Sequence, residues 1–382
     1  MSAVKFFKTL FSVVLFVAFV AAGTYVTMHR LDYIGVLERN EQVLYEPEPI
    51  LVEQEDDSVY PFIVPVNGRE VSPAIIDFRF MEQDFRVQAE VDSKVYHGAV
   101  IAQRGFLLAT DANEQERLAA MADYYSKMTF DPEMNDAIES VLIQLREIRD
   151  EHDLDNDQYV ELLTRFVQAI PYDTNRGFID FDTKAMGDPR MPVQVLVDGL
   201  GDCDEKVMLL SALLTKEGFG TSMLLFEPES HIALGVVSEG EGFKETGYEF
   251  VETTGITYVS EVPLSFIGGL ELHSDPIVLH LDPEPAGGRR GEKYFSSNAV
   301  DQVSRIIKVR DSAEDAAKEK RDYIESTPMS EEDFEAQSAL FENAVFAINS
   351  FRATVDNLGR DTREFVDRTS AIVWIDENAW WE

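Results

Sequence analysis

The spacing of apolar positions predicts a helix followed by strands in the middle of the chain. One helical face, with residues at i, i+4, i+7 and i+11, is formed by Cys203, Val207, Leu210 and Leu214. Asp202 stands where a capping residue is expected, Glu205 completes a capping box with it, and Gly218 predicts the end of the helix. Two apolar runs, 223–226 and 231–237, then predict buried strands.

The stretch before this helix divides into strands and then helices. Apolar runs separated by Gly and Asp predict strands over 59–66, 74–80, 85–91, 95–102 and 106–109. Helices are predicted at 114–127 and 133–148, and the acidic run 153–157 predicts the capped start of a third. That run is not a calcium loop, because Gln158 and Thr164 stand where such a loop needs Gly and Glu.

The C-terminal part of the chain has the pattern of long helices. A Pro- and Gly-rich segment, 283–293, predicts a linker, and helices are predicted over 298–326 and from Ser330 onward. The second helix has a seven-residue repeat formed by Phe334, Phe341, Ile348 and Val355, with Ala344, Phe351 and Leu358 at the matching offset. This seam favours either a helix folded back on the preceding one or self-association through the C-terminal helix.

The N-terminus has the pattern of a membrane-spanning segment. Residues 9–28 carry no charge, and as a helix this run is long enough to cross about 30 Å of hydrocarbon. Lys5 and Lys8 precede it without acidic residues, which favours a cytoplasmic N-terminus. We therefore predict an anchor in residues 1–30, an acidic spacer over 31–57, and a single-pass protein of the cell membrane whose catalytic domain is extracytoplasmic. A signal peptide cleaved near Gly23 is the alternative.

Composition narrows the classes of partner. The 382 residues include 71 acidic against 33 basic ones, a net charge of −38, which argues against nucleic acid as a partner. An acidic, lysine-poor surface is also typical of proteins adapted to high salt, although an ordinary soluble acidic protein would have the same balance. A single cysteine excludes an intramolecular disulfide, and no run of ligands or phosphate-binding loop predicts a metal or a cofactor.

Cys203 is the candidate nucleophile. It lies in the predicted first turn of a helix, where unpaired N–H groups and the helix dipole favour the thiolate. A lone cysteine is more often a small buried apolar residue, and the neighbouring acids Asp202, Asp204 and Glu205 oppose the thiolate. His231 begins a predicted strand, and a further strand over 248–254 places Tyr248, Phe250 and Glu252 on one face. A thiol, an imidazole and a carboxylate are the groups that covalent acyl transfer requires.

These residues resemble a known family. The run Gly201-Asp202-Cys203-Asp204, then His231, then Val251-Glu252-Thr253-Thr254 is similar to the transglutaminase-like family of papain-fold cysteine enzymes. The segment 166–172 is similar to the one that ends the helix before the family's catalytic core, so the resemblance covers about residues 125–262. It implies that Cys203 is the nucleophile, His231 the base and Glu252 the acidic third member, a position where aspartate is more common in the family.

The sequence therefore predicts an α+β protein. It would have a β-rich region over 58–124, a transglutaminase-like catalytic domain over 125–282 and a helical region over 294–382. The resemblance implies a hydrolase, a peptidase or amidase that acts on a protein or peptide substrate through a thioester. A protein-glutamine amine transferase, or a catalytically idle module that binds peptide, are the alternatives. Hydrolysis is preferred because the polar, Gly-rich segment 238–247 is predicted to form a wet, mobile loop near the mouth of the site.

Overall fold

Helices and antiparallel strands occupy separate stretches of the chain, so the fold is of the α+β class. The structure is a computed structural model, and it describes residues 63–102, 113–174, 189–266, 269–281, 292–351 and 365–382. The α-helices of these ranges are α1 (Ser93–Ile101), α2 (Glu114–Thr129), α3 (Asn135–Glu151), α4 (Asn156–Gln168), α5 (Pro192–Asp198), α6 (Cys203–Lys216), α7 (Ser297–Ser326), α8 (Glu331–Phe351) and α9 (Arg368–Asn378). The strands are β1 (Ile75–Phe80), β2 (Gln83–Gln88), β3 (Thr221–Phe226), β4 (His231–Val237), β5 (Tyr248–Val251) and β6 (Ile277–His280).

The main sheet is antiparallel and has the order β5-β4-β3-β6. Its register pairs Phe226 with His231 and Val237 with Tyr248. His231, the first residue of β4, and Glu252, the residue after β5, therefore lie at the same end of the β4–β5 hairpin. The loop 238–247 joins the strands at the other end.

Helix α6 is the centre of the main core. Every residue from Cys203 to Leu214 is buried, because α6 packs against β4 on one side and against α4 and α5 on others. Side chains of one sheet face, such as Met223, Leu225 and Leu234, join this core, while Phe226 and Phe250 belong to a smaller aromatic cluster. A helix enclosed on all sides needs more than the single apolar stripe seen in the sequence.

The region before α2 differs from its prediction. The β1–β2 hairpin confirms strands near 74–80 and 85–91, and its apolar side chains join the main core. The prediction of a strand over 95–102 is wrong, because α1 occupies Ser93–Ile101. Asp92 caps this helix by accepting a hydrogen bond from the N–H of Lys94 at 2.8 Å. Residues 63–66 form no strand, and 106–109 lie outside the described residues.

The C-terminal helices confirm the predicted helical region. Helices α7 and α8 pack against each other and form a second core, in which Phe341 and Ile348 contact the buried residues of α7. The folded-back arrangement of the repeat is therefore present within the chain. Val355 and Leu358 lie outside the described residues, and self-association stays a prediction.

Three predicted segments fall mostly outside the described residues. The predicted membrane span, the acidic spacer and most of the predicted linker lie outside the described residues. Among the described ones, no helix combines the length and the apolar character that crossing a membrane requires.

Candidate active site

The first turn of α6 presents Cys203 at a capped helix end. Oδ1 of Asp202 accepts a hydrogen bond from the backbone N–H of Glu205 at 3.3 Å, and Oε2 of Glu205 accepts one from the N–H of Asp202 at 3.1 Å. This capping box confirms the prediction for the start of the helix. Gly199 ends α5 with a φ of 66°, a conformation that favours glycine, and lets the chain turn into α6.

The end of the β4–β5 hairpin brings His231 and Glu252 together. Nε2 of His231 lies 3.0 Å from Oε2 of Glu252, and because an ionised carboxylate only accepts hydrogen bonds, the imidazole N–H is the donor. Oε1 of Glu252 accepts from the backbone N–H of Thr254 at 2.6 Å and also from the Thr254 hydroxyl. Both oxygens of the carboxylate are thus held, which fixes the orientation of the imidazole.

The charge on Glu252 is stabilised despite its burial. Only 1% of Glu252 is exposed, and burial by itself would raise the pKa of this carboxyl. The charge of His231 and the hydrogen bonds from His231 and Thr254 outweigh burial and hold the pKa below its ordinary value. Glu252 is therefore an ionised acceptor near neutral pH.

The thiol of Cys203 is buried and protonated at rest. Cys203 is 8% exposed, and burial raises the pKa of its thiol well above the ordinary value, with the charges of Asp204 and Asp202 adding to this effect. A hydrogen bond from the backbone N–H of Ile232 works in the opposite direction. No hydrogen bond joins the sulfur to His231 within the described part of the chain. The expectation that the helix end makes Cys203 a thiolate is therefore wrong for the resting state, and the acids noted in the sequence are part of the reason.

The acidic residues beside Cys203 have partners of their own. Oδ2 of Asp204 accepts a hydrogen bond from the hydroxyl of Tyr125 at 2.9 Å, and burial raises the pKa of Asp204. Glu205 is paired with Arg190, whose Nη1 lies 3.1 Å from Oε2. Arg190 also forms an ion pair with Asp173 at 2.8 Å. These contacts hold the first turn of α6 rigidly and neutralise part of its charge.

Tyr172 lies at the site but was not singled out from the sequence as a site residue. Its backbone pairs with Gly201, just before α6. Burial raises the pKa of Tyr172, and the charges of Asp202 and Asp204 raise it further. The phenol therefore keeps its proton and remains a hydrogen-bond donor. The sequence offered only its place in the family-like segment 166–172.

Phe266 covers His231 from one side. The two rings lie 4.8 Å apart between centroids, and Phe226 lies 6.4 Å from the imidazole. Phe266 comes from the loop that follows Glu252, and no periodic pattern marks it in the sequence. These rings limit the access of water to the imidazole.

The loop 238–247 is solvent-exposed at Glu239, Glu241 and Lys244, as its polar composition predicts, but it is anchored to the sheet. It begins about 20 Å from His231 along β4, given a rise of about 3.3 Å per residue. The ring of Phe243 packs against Phe226 and Phe250, with centroids 6.3 and 5.4 Å apart, and Nζ of Lys244 donates to the Ser274 carbonyl at 2.7 Å. The loop is anchored by an apolar ring, so its composition does not support a preference for water over an amine.

The site contains no recognisable set of metal ligands. Within the described ranges, no group of three or more His, Cys, Asp or Glu side chains is arranged to hold a metal ion.

Comparison with known proteins returned no match to any family model, curated protein or solved structure.

Proposed function

We propose that the chain is a membrane-anchored, transglutaminase-like cysteine hydrolase, a peptidase or amidase, with its papain-like catalytic domain outside the cytoplasm. The observation that carries the proposal is the buried pair of His231 and Glu252, 3.0 Å apart, whose carboxylate charge acts on the thiol of Cys203. The backbone of Ile232, the residue that follows His231, lowers the pKa of the Cys203 thiol, and the charge of Glu252 raises it, so both act on the thiol from the same end of the hairpin. A membrane anchor remains a proposal from the sequence.

The protonated thiol determines how the first step would proceed. As the sulfur of Cys203 forms a bond to the carbonyl carbon, His231 takes the thiol proton, and the π electrons of the carbonyl move to its oxygen. Proton transfer accompanies attack, because the surrounding acids disfavour a free thiolate. The ionised Glu252 then stabilises the imidazolium that forms.

Two donors are available for the oxyanion. The backbone N–H of Cys203 belongs to the first turn of α6 and has no acceptor within the helix. The phenol of Tyr172 is the second candidate donor, since it stays protonated and its backbone pairs with Gly201, two residues before Cys203. Collapse of the intermediate expels the amine, which takes the proton from His231, and leaves a thioester on Cys203. Water, deprotonated by His231, attacks the thioester and releases the acid and the thiol.

The choice of water as the second substrate rests on availability. Water at about 55 M needs no binding site, whereas an amine must be selected over it by structure. The acidic surface attracts cationic amines, and this attraction is the argument in favour of a protein-glutamine amine transferase. Offering a glutamine peptide together with a fluorescent primary amine separates the two reactions. Both reactions release ammonia, so the acyl product distinguishes them. Formation of the amine-bearing amide well above formation of the free acid, lost in Cys203→Ala, would replace the hydrolase by the transferase.

The test of the catalytic role uses the purified full chain in a mild detergent. Because Cys203 is the only cysteine, peptide mapping after treatment with 4-nitrophenyl acetate reports its acylation directly. We expect an acetyl thioester on Cys203 that forms at least about 100-fold more slowly in His231→Ala, the usual contribution of a general base. Equal rates in both proteins would refute the proposal.

A second function is favoured by one observation. The thiol is buried, its pKa is raised, and the structure shows no hydrogen bond to His231 in the described residues. An idle papain-like module that binds peptide would have these properties. Saturable binding of peptides without any acylation of Cys203 would support this alternative.

A further inference from the structure

Glu252 lies in the turn that follows strand β5, outside the sheet. Strand β5 ends at Val251, so the sheet does not hold the backbone of Glu252. The backbone of Glu252 is held instead by the side chain of Gln168, the last residue of α4. Its Nε2 donates to the carbonyl oxygen of Glu252 at 2.8 Å and to that of Thr257 at 3.2 Å. One amide thus joins both ends of the turn that carries the carboxylate.

The orientation of this amide is determined by its neighbours. Oε1 of Gln168 accepts a hydrogen bond from Nη1 of Arg165 at 3.2 Å, which leaves the NH₂ group for the two carbonyls. The guanidinium of Arg165 in turn lies 3.8 Å from the centre of the Phe365 ring. A flipped amide would place its oxygen against two carbonyl oxygens and its NH₂ against a cation.

The amide is held mainly by hydrogen bonds. A cavity of about 20 Å³ lies beside Gln168 and is also lined by Thr164 and Thr257. This volume has room for about one water molecule. Gln168 itself is 1% exposed, so its hydrogen bonds form away from bulk solvent. Replacing the amide by an isosteric apolar group therefore removes the hydrogen bonds without requiring a large repacking.

We propose that Gln168 is a positioning residue for the reaction: by holding the Glu252 turn to the end of α4, it keeps the Glu252 carboxylate in line with the imidazole of His231. The proposal rests on the proposed function, because it concerns the same site. Gln168 does not contact the reacting atoms and acts only through Glu252. The C-terminal end of α4 is itself tied to the nucleophile's helix, since Nζ of Lys206 donates to the Gln168 carbonyl at 3.5 Å and to the carbonyl of Ile170, two residues after the helix, at 2.7 Å. The position of α4 therefore affects both the helix of the nucleophile and the turn that contains Glu252.

A first experiment reads the His231–Glu252 hydrogen bond without any enzymatic activity. An imidazole N–H that donates to a buried carboxylate gives a proton resonance far downfield of the amides. We expect this resonance in the full chain, its loss in Glu252→Gln and His231→Ala, and its loss or strong broadening in Gln168→Leu and Gln168→Glu. Gln158→Leu is the matched control, because Gln158 lies in the first turn of the same helix, where its Oε1 accepts a hydrogen bond from the backbone N–H of Asp155 at 3.0 Å. A resonance that persists in both folded Gln168 variants would overturn the proposal.

A second experiment tests whether Gln168 acts through Glu252. The rate of Cys203 acylation is measured in Gln168→Leu, Glu252→Gln and the double variant. We expect Gln168→Leu alone to slow acylation about tenfold, the effect of about one to two lost hydrogen bonds, and to add little in the Glu252→Gln background. If the two substitutions slow acylation independently, so that their factors multiply in the double variant, Gln168 has a merely structural role and the proposal is refuted.

The two proposals can fail separately. If His231→Ala leaves acylation unchanged, the hydrolase fails, and the downfield resonance alone then decides the role of Gln168. If His231→Ala and Glu252→Gln both slow acylation but Gln168→Leu does not, the hydrolase stands and Gln168 is not a positioning residue.

Discussion

Two neighbouring threonines allow a sharp test of how the Glu252 carboxylate is held. The hydroxyl of Thr254 donates to Oε1 of Glu252, whereas the hydroxyl of Thr253 has no partner among the described residues. Both side chains are buried, 2% and 0% exposed. Valine has nearly the shape of threonine, so Thr254→Val and Thr253→Val each remove one buried hydroxyl and differ only in what that hydroxyl contacts.

The two substitutions should change stability in different directions. A hydrogen bond to a charged group contributes about 1.5–3 kcal/mol, so Thr254→Val should lower the free energy of unfolding by about that amount. An unpaired buried hydroxyl costs about 1–3 kcal/mol, so Thr253→Val should leave the free energy of unfolding unchanged or raise it. We expect the two variants to differ by at least about 1.5 kcal/mol.

Urea unfolding at pH 7 measures this difference. The described tryptophans, Trp374, Trp380 and Trp381, lie at the C-terminus, so fluorescence should be compared with far-UV circular dichroism to verify a single transition. Thr254→Ser is the rescue variant, since it keeps the hydroxyl. Thr254→Val should also slow acylation of Cys203, and Thr253→Val should not.

The difference should depend on pH with a definite sign. The pKa of Glu252 is held below its ordinary value of 4.5, so the stability that its ionised form contributes is present above about pH 4.5 and lost as the pH falls. Removing the Thr254 hydroxyl raises that pKa back toward 4.5. The deficit of Thr254→Val should therefore be full at pH 7 and shrink below about pH 4.5. Equal losses in Thr253→Val and Thr254→Val, or a deficit that does not change with pH, would refute this account of the site.

Three further outcomes follow from the same structure. Tyr125→Phe leaves Asp204 without its hydroxyl donor and should cost about 1–3 kcal/mol in urea unfolding; a loss below about 0.5 kcal/mol would contradict a hydrogen bond of this importance. Because burial raises the pKa of the Cys203 thiol, the unfolded chain releases that proton first, so stability should fall as the pH rises past about 9, and less steeply in Cys203→Ala; identical slopes would count against the raised pKa. The net charge of −38 predicts that stability rises between dilute buffer and about 1 M KCl, and a flat response would argue against adaptation to high salt.

Local rules allowed the sequence to determine the elements that carry the site. The start of α6 at Cys203 was predictable because Asp202 and Glu205 form a capping box within one turn. Strand β4 was predictable from its continuous apolar run, because every residue of this strand is buried. The pair of long C-terminal helices was predictable from periodicity. The candidate residues Cys203, His231 and Glu252 came from residue types and a family resemblance. The structure brings His231 and Glu252 into contact.

Tertiary contacts decided what those local rules leave open. The segment 95–102 has the apolar pattern of a strand but forms α1, in which Gly98 lies so close to the backbone of Val64 that an added Cβ would meet that carbonyl oxygen at 2.4 Å. A close approach of two distant segments leaves no trace in periodicity. The anchoring of the 238–247 loop by Phe243 likewise depends on rings from β3 and β5.

The protonation of the nucleophile was also decided by the tertiary structure. The helix end and its dipole, visible in the sequence, favour a thiolate at Cys203, but burial and the nearby carboxylates have the larger effect. The contact between Gln168 and the Glu252 turn joins residues 84 positions apart. Local propensities act over a few residues, whereas burial and hydrogen bonds to distant segments exist only once the chain is folded. The sequence therefore determined which groups are present near the site, and packing determined their charge and orientation.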